Sequence, residues 1–125
     1  MAHDIKAEVN DVSISAQKLR LIIDLIRGKS ADEALNILKF VPSKAAHPVS
    51  KLVTSAIANA EKNMGVSRTE LYVHKITADE ARTRRWRRYG ARGRFKPWLR
   101  RAAHVSIILR EREGAAAAAT PAAAE

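Results

Sequence analysis

Between Arg82 and Arg101, 20 residues carry ten Lys or Arg, four aromatics, two glycines and no acid. The cations are Arg82, Arg84, Arg85, Arg87, Arg88, Arg92, Arg94, Lys96, Arg100 and Arg101, with Trp86, Tyr89, Phe95 and Trp98 set among them. The other 105 residues hold 13 basic and 13 acidic side chains, so this segment accounts for the whole formal charge of +10. Arginine forks two N–H donors onto a phosphate and stacks on bases, where lysine offers a point charge. A run that is arginine at every cationic position except Lys96, with aromatics able to stack on unpaired bases, points to a nucleic acid as partner. A basic edge kept only to block aggregation would not need two tryptophans.

Two weaker sets have the same chemistry. Gln17, Lys18, Arg20, Arg27 and Lys29 fall on or just after a first helix, with Lys18, Arg20 and Arg27 facing away from its apolar stripe. Ser55, Asn59, Lys62 and Asn63 form a polar line at i, i+4, i+7 and i+8 beside Ala58, and short side chains allow close approach to a sugar-phosphate backbone. Spacing alone leaves both sets open between a solvated helix face and a binding surface. Catalysis has little support. Asp79 and Glu80 are adjacent on a strand and point to opposite faces, and His3, His47, His74 and His104 lack ligand-like spacing. With no cysteine, disulfides, thiol catalysis and thiolate metal sites drop out together. No catalytic residue, metal or cofactor is expected.

The elements that must hold these residues read as follows. A chain of 125 residues with 46% hydrophobic content fits one domain, expected over 1–112. The Ala-rich stretch 113–125 is expected to be a disordered tail. Ile5, Ala7 and Val9 alternate with polar residues as a short strand. Ser15 caps a first helix with Leu19, Ile22, Ile23 and Ile26 inward and Gly28 as its stop. Ser30 and Glu33 form a capping box for a second helix carrying Ala34, Leu35, Leu38 and Val41, which ends at Pro42. A third helical pattern begins at Ser43, with Val49, Leu52, Val53, Ala56, Ile57, Ala60 and Met64 in one stripe closed by Gly65. Pro48 there requires either a later start or a kink.

Leu71, Val73, Ile76 and Ala78 predict a strand whose apolar side switches, as a bulge would cause. Ala103, Val105, Ile107 and Leu109 alternate as its return partner. Between them the basic segment, 82–101, becomes a β-hairpin turning near Ala91 and Arg92, with arms of nine residues spanning roughly 30 Å. Cationic on both faces, such arms have no core to cover, so the hairpin is expected to project from the body and be held straight by its partner. The strongest apolar stretch, Leu19 to Ile26, is broken by Arg20 and Asp24, so neither a membrane span nor a signal peptide is expected, which suits a cytosolic protein.

Three stretches resemble a known family: SAQKLRLIIDLIRGK at Ser15 to Lys29, SAIANAEKN at Ser55 to Asn63, and GARGRF at Gly90 to Phe95 followed by LRRAAHVSI at Leu99 to Ile107. In order and spacing they are similar to the bacterial-type ribosomal protein family numbered twenty-two of the large subunit. That resemblance implies an α+β fold with three helices packed on a small three-stranded antiparallel sheet and one long projecting β-hairpin. It implies a structural constituent of the large ribosomal subunit that binds 23S-type rRNA, aids early assembly and sends its hairpin into the wall of the nascent-peptide exit tunnel. RNA contacts would include Lys18, Arg20, Arg27, Lys29, Ser55, Asn59 and Asn63, and Tyr89, Gly90, Ala91, Arg92 and Gly93 would form the tunnel-lining tip. Partners would be rRNA, neighbouring ribosomal proteins and the nascent peptide, with no membrane and no homo-oligomer. The alternative, from the residues alone, is an architectural DNA-binding protein that inserts a basic β-ribbon into a groove.

Overall fold

The computed structural model describes residues 4–112, so the tail expected over 113–125 lies outside the described residues. Strand β1 (Asp4–Val12) buries Ile5 and turns Lys6, Glu8 and Asn10 to solvent. Near its end Asp11 adopts a left-handed φ of 56°, and its N–H donates to Nδ1 of His104 at 3.2 Å. The register shifts by one residue there, between Val9 and Val12.

Helix α1 (Ala16–Ile26) begins where Ser15 Oγ accepts the Lys18 N–H at 3.4 Å, and Gly28 leaves it with φ of 80°. Leu19, Ile22, Ile23 and Ile26 are buried along one face, each removing enough apolar surface from water to contribute roughly 1.5–3 kcal/mol. Helix α2 (Ala31–Phe40) starts on Ser30, whose Oγ accepts the Glu33 N–H at 3.3 Å, and it buries Ala34 and Leu38.

Helix α3 (Ala46–Asn59) starts three residues after Ser43, so Pro48 lies in its first turn. The amide that proline lacks would have no intrahelical acceptor there, so the helix begins without a kink. Val49, Leu52, Val53, Ala56, Ile57 and Ala60 are buried as the stripe predicts, but Met64 is 46% exposed. The chain from Ala60 to Met64 forms a π-turn, in which the Gly65 N–H reaches back to the Ala60 carbonyl. That wider turn rotates Met64 off the stripe.

Strands β2 (Leu71–Glu80), β3 (Arg84–Tyr89), β4 (Phe95–Arg100) and β5 (Ala103–Glu111) complete the chain. β1, β5 and β2 form an antiparallel sheet in that order, and the helices with this sheet enclose one apolar core, giving the α+β architecture expected. The switch of sides in β2 is a bulge. Val73 pairs with Leu109 and Lys75 with Ile108, leaving His74 as the extra residue. β2 is an edge strand, and the turn after α1 closes part of that edge. Val73 accepts from the Gly28 N–H at 3.1 Å and donates to the Lys29 carbonyl at 2.9 Å.

β3 and β4 pair with each other over six positions, from Arg84 with Arg100 to Tyr89 with Phe95. This ladder continues the β2–β5 pair through the Ala81 N–H to Ala102 carbonyl bond at 3.0 Å. Glu80 pairs with Ala103 and Arg84 with Arg100, so three residues on one strand lie opposite two on the other. That mismatch interrupts the regular pairing. The hairpin's own ladder therefore spans about 20 Å, less than the unbroken nine-residue arms expected.

Candidate nucleic-acid interface

The six pairs of the ribbon divide its side chains between two faces. One face carries Arg84 with Arg100, Trp86 with Trp98, and Arg88 with Lys96; the other carries Arg85 with Leu99, Arg87 with Pro97, and Tyr89 with Phe95. Trp86 and Trp98 meet edge to face with centroids 5.5 Å apart. The guanidinium groups of Arg88 and Arg100 each lie 5.0 Å from the Trp98 ring, and Arg100 also lies 5.9 Å from Trp86. On the opposite face Tyr89 and Phe95 pair at 5.3 Å, with Arg87 5.9 Å from Phe95. The aromatics thus give the ribbon contacts of its own and hold several arginines at fixed positions. Pro97 fits because a two-stranded ribbon has outward-facing amides on both edges.

All ten cations of the segment are exposed. Two cross-strand pairs, Arg84 with Arg100 and Arg88 with Lys96, set like charges directly opposite each other, an arrangement that destabilises an isolated ladder. Among the described residues the ion pairs lie elsewhere, joining Arg27 to Asp24, Arg68 to Asp32 and Arg110 to Asp4. The tip is closed by the Gly90 N–H to the Arg94 carbonyl at 2.6 Å, and Arg92 and Gly93 take left-handed φ of 57° and 73°. Tyr89 beside it is 87% exposed.

The α1 set divides in two. Lys18 and Gln17 are exposed at the start of the helix. Arg20 and Arg27 reach back to the sheet: Arg20 Nε donates to the Ala78 carbonyl at 3.1 Å and Arg27 Nη2 to the Ile76 carbonyl at 3.0 Å. With the Gly28–Lys29 backbone on Val73, these arginines close the outer edge of β2, which their outward placement in the sequence pattern did not suggest. Lys29 keeps an exposed side chain. On α3, Ser55 is exposed and Asn59 half-buried, and Lys62 and Asn63 follow in the π-turn, where helical spacing no longer aligns them with the two above.

The hairpin base and the start of α1 meet at a cleft of about 830 Å³. Arg84, Trp86 and Arg100 of the tryptophan face line it from the hairpin, together with Leu99 of the opposite face and Arg101 at the base. Gln17 and Lys18 line it from the helix, whereas Ser55, Asn59, Lys62 and Asn63 do not reach it. Lys44, Leu21 and Leu99 also line it and were absent from the sequence expectation. Exposed apolar side chains beside the N-terminal cations of α1 were the available signal for Leu21. Lys44, in the α2–α3 connection, offered none.

Residues 7–110 match the family model described as ribosomal protein L22p/L17e. The chain is 43% identical over 106 residues to the large ribosomal subunit protein uL22 of Dehalococcoides mccartyi, covering 85% of this chain and 97% of that protein. It is 47% identical over 102 residues to the large ribosomal subunit protein uL22 of Thermoanaerobacter pseudethanolicus, covering 82% of this chain and 92% of the relative.

Proposed function

The chain belongs to the ribosomal protein L22p/L17e family, and from that premise we propose that its hairpin and the adjoining start of α1 bind large-subunit rRNA. As a member it is a structural, non-enzymatic constituent of the large ribosomal subunit, working in the cytoplasmic ribosome among rRNA and other ribosomal proteins. In this proposal the single domain over 1–112 acts as an anchor. The hairpin is laid between RNA segments during early assembly, and Tyr89 to Gly93 reach the wall of the nascent-peptide exit tunnel.

One observation carries the reading: ten exposed cations on a ribbon without acids, with Arg84 facing Arg100 and Arg88 facing Lys96. A polyanion threaded along both faces removes that repulsion and releases its own counterions. Arginines already stacked on Trp98 keep their N–H forks available for phosphate. Lys18, Lys29, Ser55, Asn59, Lys62 and Asn63 supply further contacts from the helices. Arg20 and Arg27 have donors left over after bonding to β2, since a guanidinium carries five N–H groups.

Reconstitution with large-subunit rRNA, followed by crosslinking from a photoreactive group at position 92, tests both levels of the proposal. Crosslinks to rRNA and to nascent chains in translating ribosomes are expected. Co-sedimentation without any crosslink from position 92 to a nascent chain would remove the tunnel placement. Failure to co-sediment would remove the RNA reading itself.

A further inference from the structure

The cleft between α1 and the hairpin base is built for more than general attraction to phosphate. Its two sides bring apolar surface to an open slot: Trp86, half exposed, and Leu99 from the ribbon, and Leu21, 67% exposed, from α1. Apolar side chains left open to water in a cleft rimmed by charge mark a ligand site. Around them stand Lys18, Lys44, Arg84, Arg100 and Arg101, and no acidic residue lines the cleft. Hydroxyl donors are also at hand. Ser15 and Ser43 use their oxygens to accept the Lys18 and Ala45 N–H groups, which leaves each O–H free to donate.

We propose that this cleft takes one unpaired nucleotide of the bound RNA, its base between Trp86 and Leu21 and its flanking phosphates on the surrounding cations. The inference rests on the rRNA-binding reading and narrows it to a place and a form of RNA. A flat aromatic base uses the facing apolar sides, the serine hydroxyls meet base-edge acceptors, and the cations on both banks take the phosphates before and after it. An acidic peptide would satisfy the cations and leave the apolar sides idle. Duplex RNA keeps its bases stacked inside and cannot enter.

The chain has two tryptophans, so the Trp98→Phe protein reports from Trp86 alone. Titrating it with a short single-stranded oligoribonucleotide is expected to quench Trp86 fluorescence, and a blunt duplex of the same length is expected to leave it much less quenched. Leu21→Glu and Leu25→Glu place the same charge on exposed positions of one helix, and only Leu21 lines the cleft. Leu21→Glu is expected to weaken single-strand binding about tenfold relative to Leu25→Glu, the scale of one lost stacking contact. Equal effects of the two variants, equal quenching by the duplex, or equal competition by an oligoglutamate peptide would each overturn the proposal. If full-length rRNA still bound with steep salt dependence in those cases, only the cleft assignment would fall. If no RNA bound at all, the rRNA reading would fall with it.

Discussion

A Cβ added at Gly90 would sit 2.7 Å from the Arg94 carbonyl oxygen, the atom that closes the hairpin tip. Gly90→Ala must therefore open that bond or shift the strand, a loss of about 1–3 kcal/mol confined to the tip. Amide exchange should speed up at residues 89–95 in this variant, with the global unfolding midpoint unchanged; unaltered exchange there would refute the contact. At the other end of the sheet, Arg110 hydrogen-bonds Asp4 at 2.7 Å and holds its carboxyl below the usual carboxylate range. A depressed native pKa adds stability above the unfolded value that is lost as pH falls through the native one. Asp4→Asn should thus be slightly less stable than the parent at neutral pH, and the two denaturation midpoints should converge in acid. The partners are solvent-exposed, so the effect is small.

At the level of elements, the arginines of α1 are as much part of the sheet as of any RNA surface. Replacing both Arg20 and Arg27 by methionine leaves two β2 carbonyls without these donors, at about 0.5–1.5 kcal/mol each, and unveils an edge. Thermal unfolding should shift downward and aggregation on heating should increase, even without RNA; no change in either would mean that the edge is closed by other means. The hairpin should respond in the opposite sense to anions. Its like-charged pairs repel in the free protein, so amide exchange along 84–100 should slow when RNA or polyphosphate is added, and equal exchange with and without them would contradict that account.

These elements were unevenly legible in the sequence. Ser15, Ser30, Gly28 and Gly65 announced helix ends because caps are local chemistry, and the change of apolar side around His74 announced its bulge. Pro48 announced that α3 starts later than Ser43, as it does at Ala46, but the π-turn at Met64 was not readable, since it depends on how the helix end packs. The edge contacts of Arg20 and Arg27 join residues 58 and 49 positions apart, and the cleft gathers four separate stretches of chain. No periodicity encodes such meetings.

For the molecule as a whole, the distribution of ion pairs explains why the charge asymmetry matters. Among the described residues the three ion pairs lie in the body, on Arg27, Arg68 and Arg110, whereas the hairpin has no acid of its own and offers the densest run of cations to a polyanion. If six to ten hairpin cations contact phosphate, affinity for unstructured RNA should fall with salt at a log-log slope of about −4 to −7. Filter binding over a range of potassium chloride concentrations measures this, and a slope near −1 would show that the ribbon is not the main contact.

The three-against-two joint between the sheet and the ribbon carries a further consequence. Side chains alternate sides at each step along a strand, so three residues against two cannot both keep the alternation, and the side of the ribbon that looks toward α1 is set at this joint. Removing one of the three would make the two counts equal, and β3 would then have to present its other face, with Arg85, Arg87 and Tyr89, or slip its register against β4. No substitution can do that. The orientation of the arm is thus set by chain length rather than by any side chain, and a single-codon deletion there would force the ribbon to re-pair while leaving its composition almost untouched.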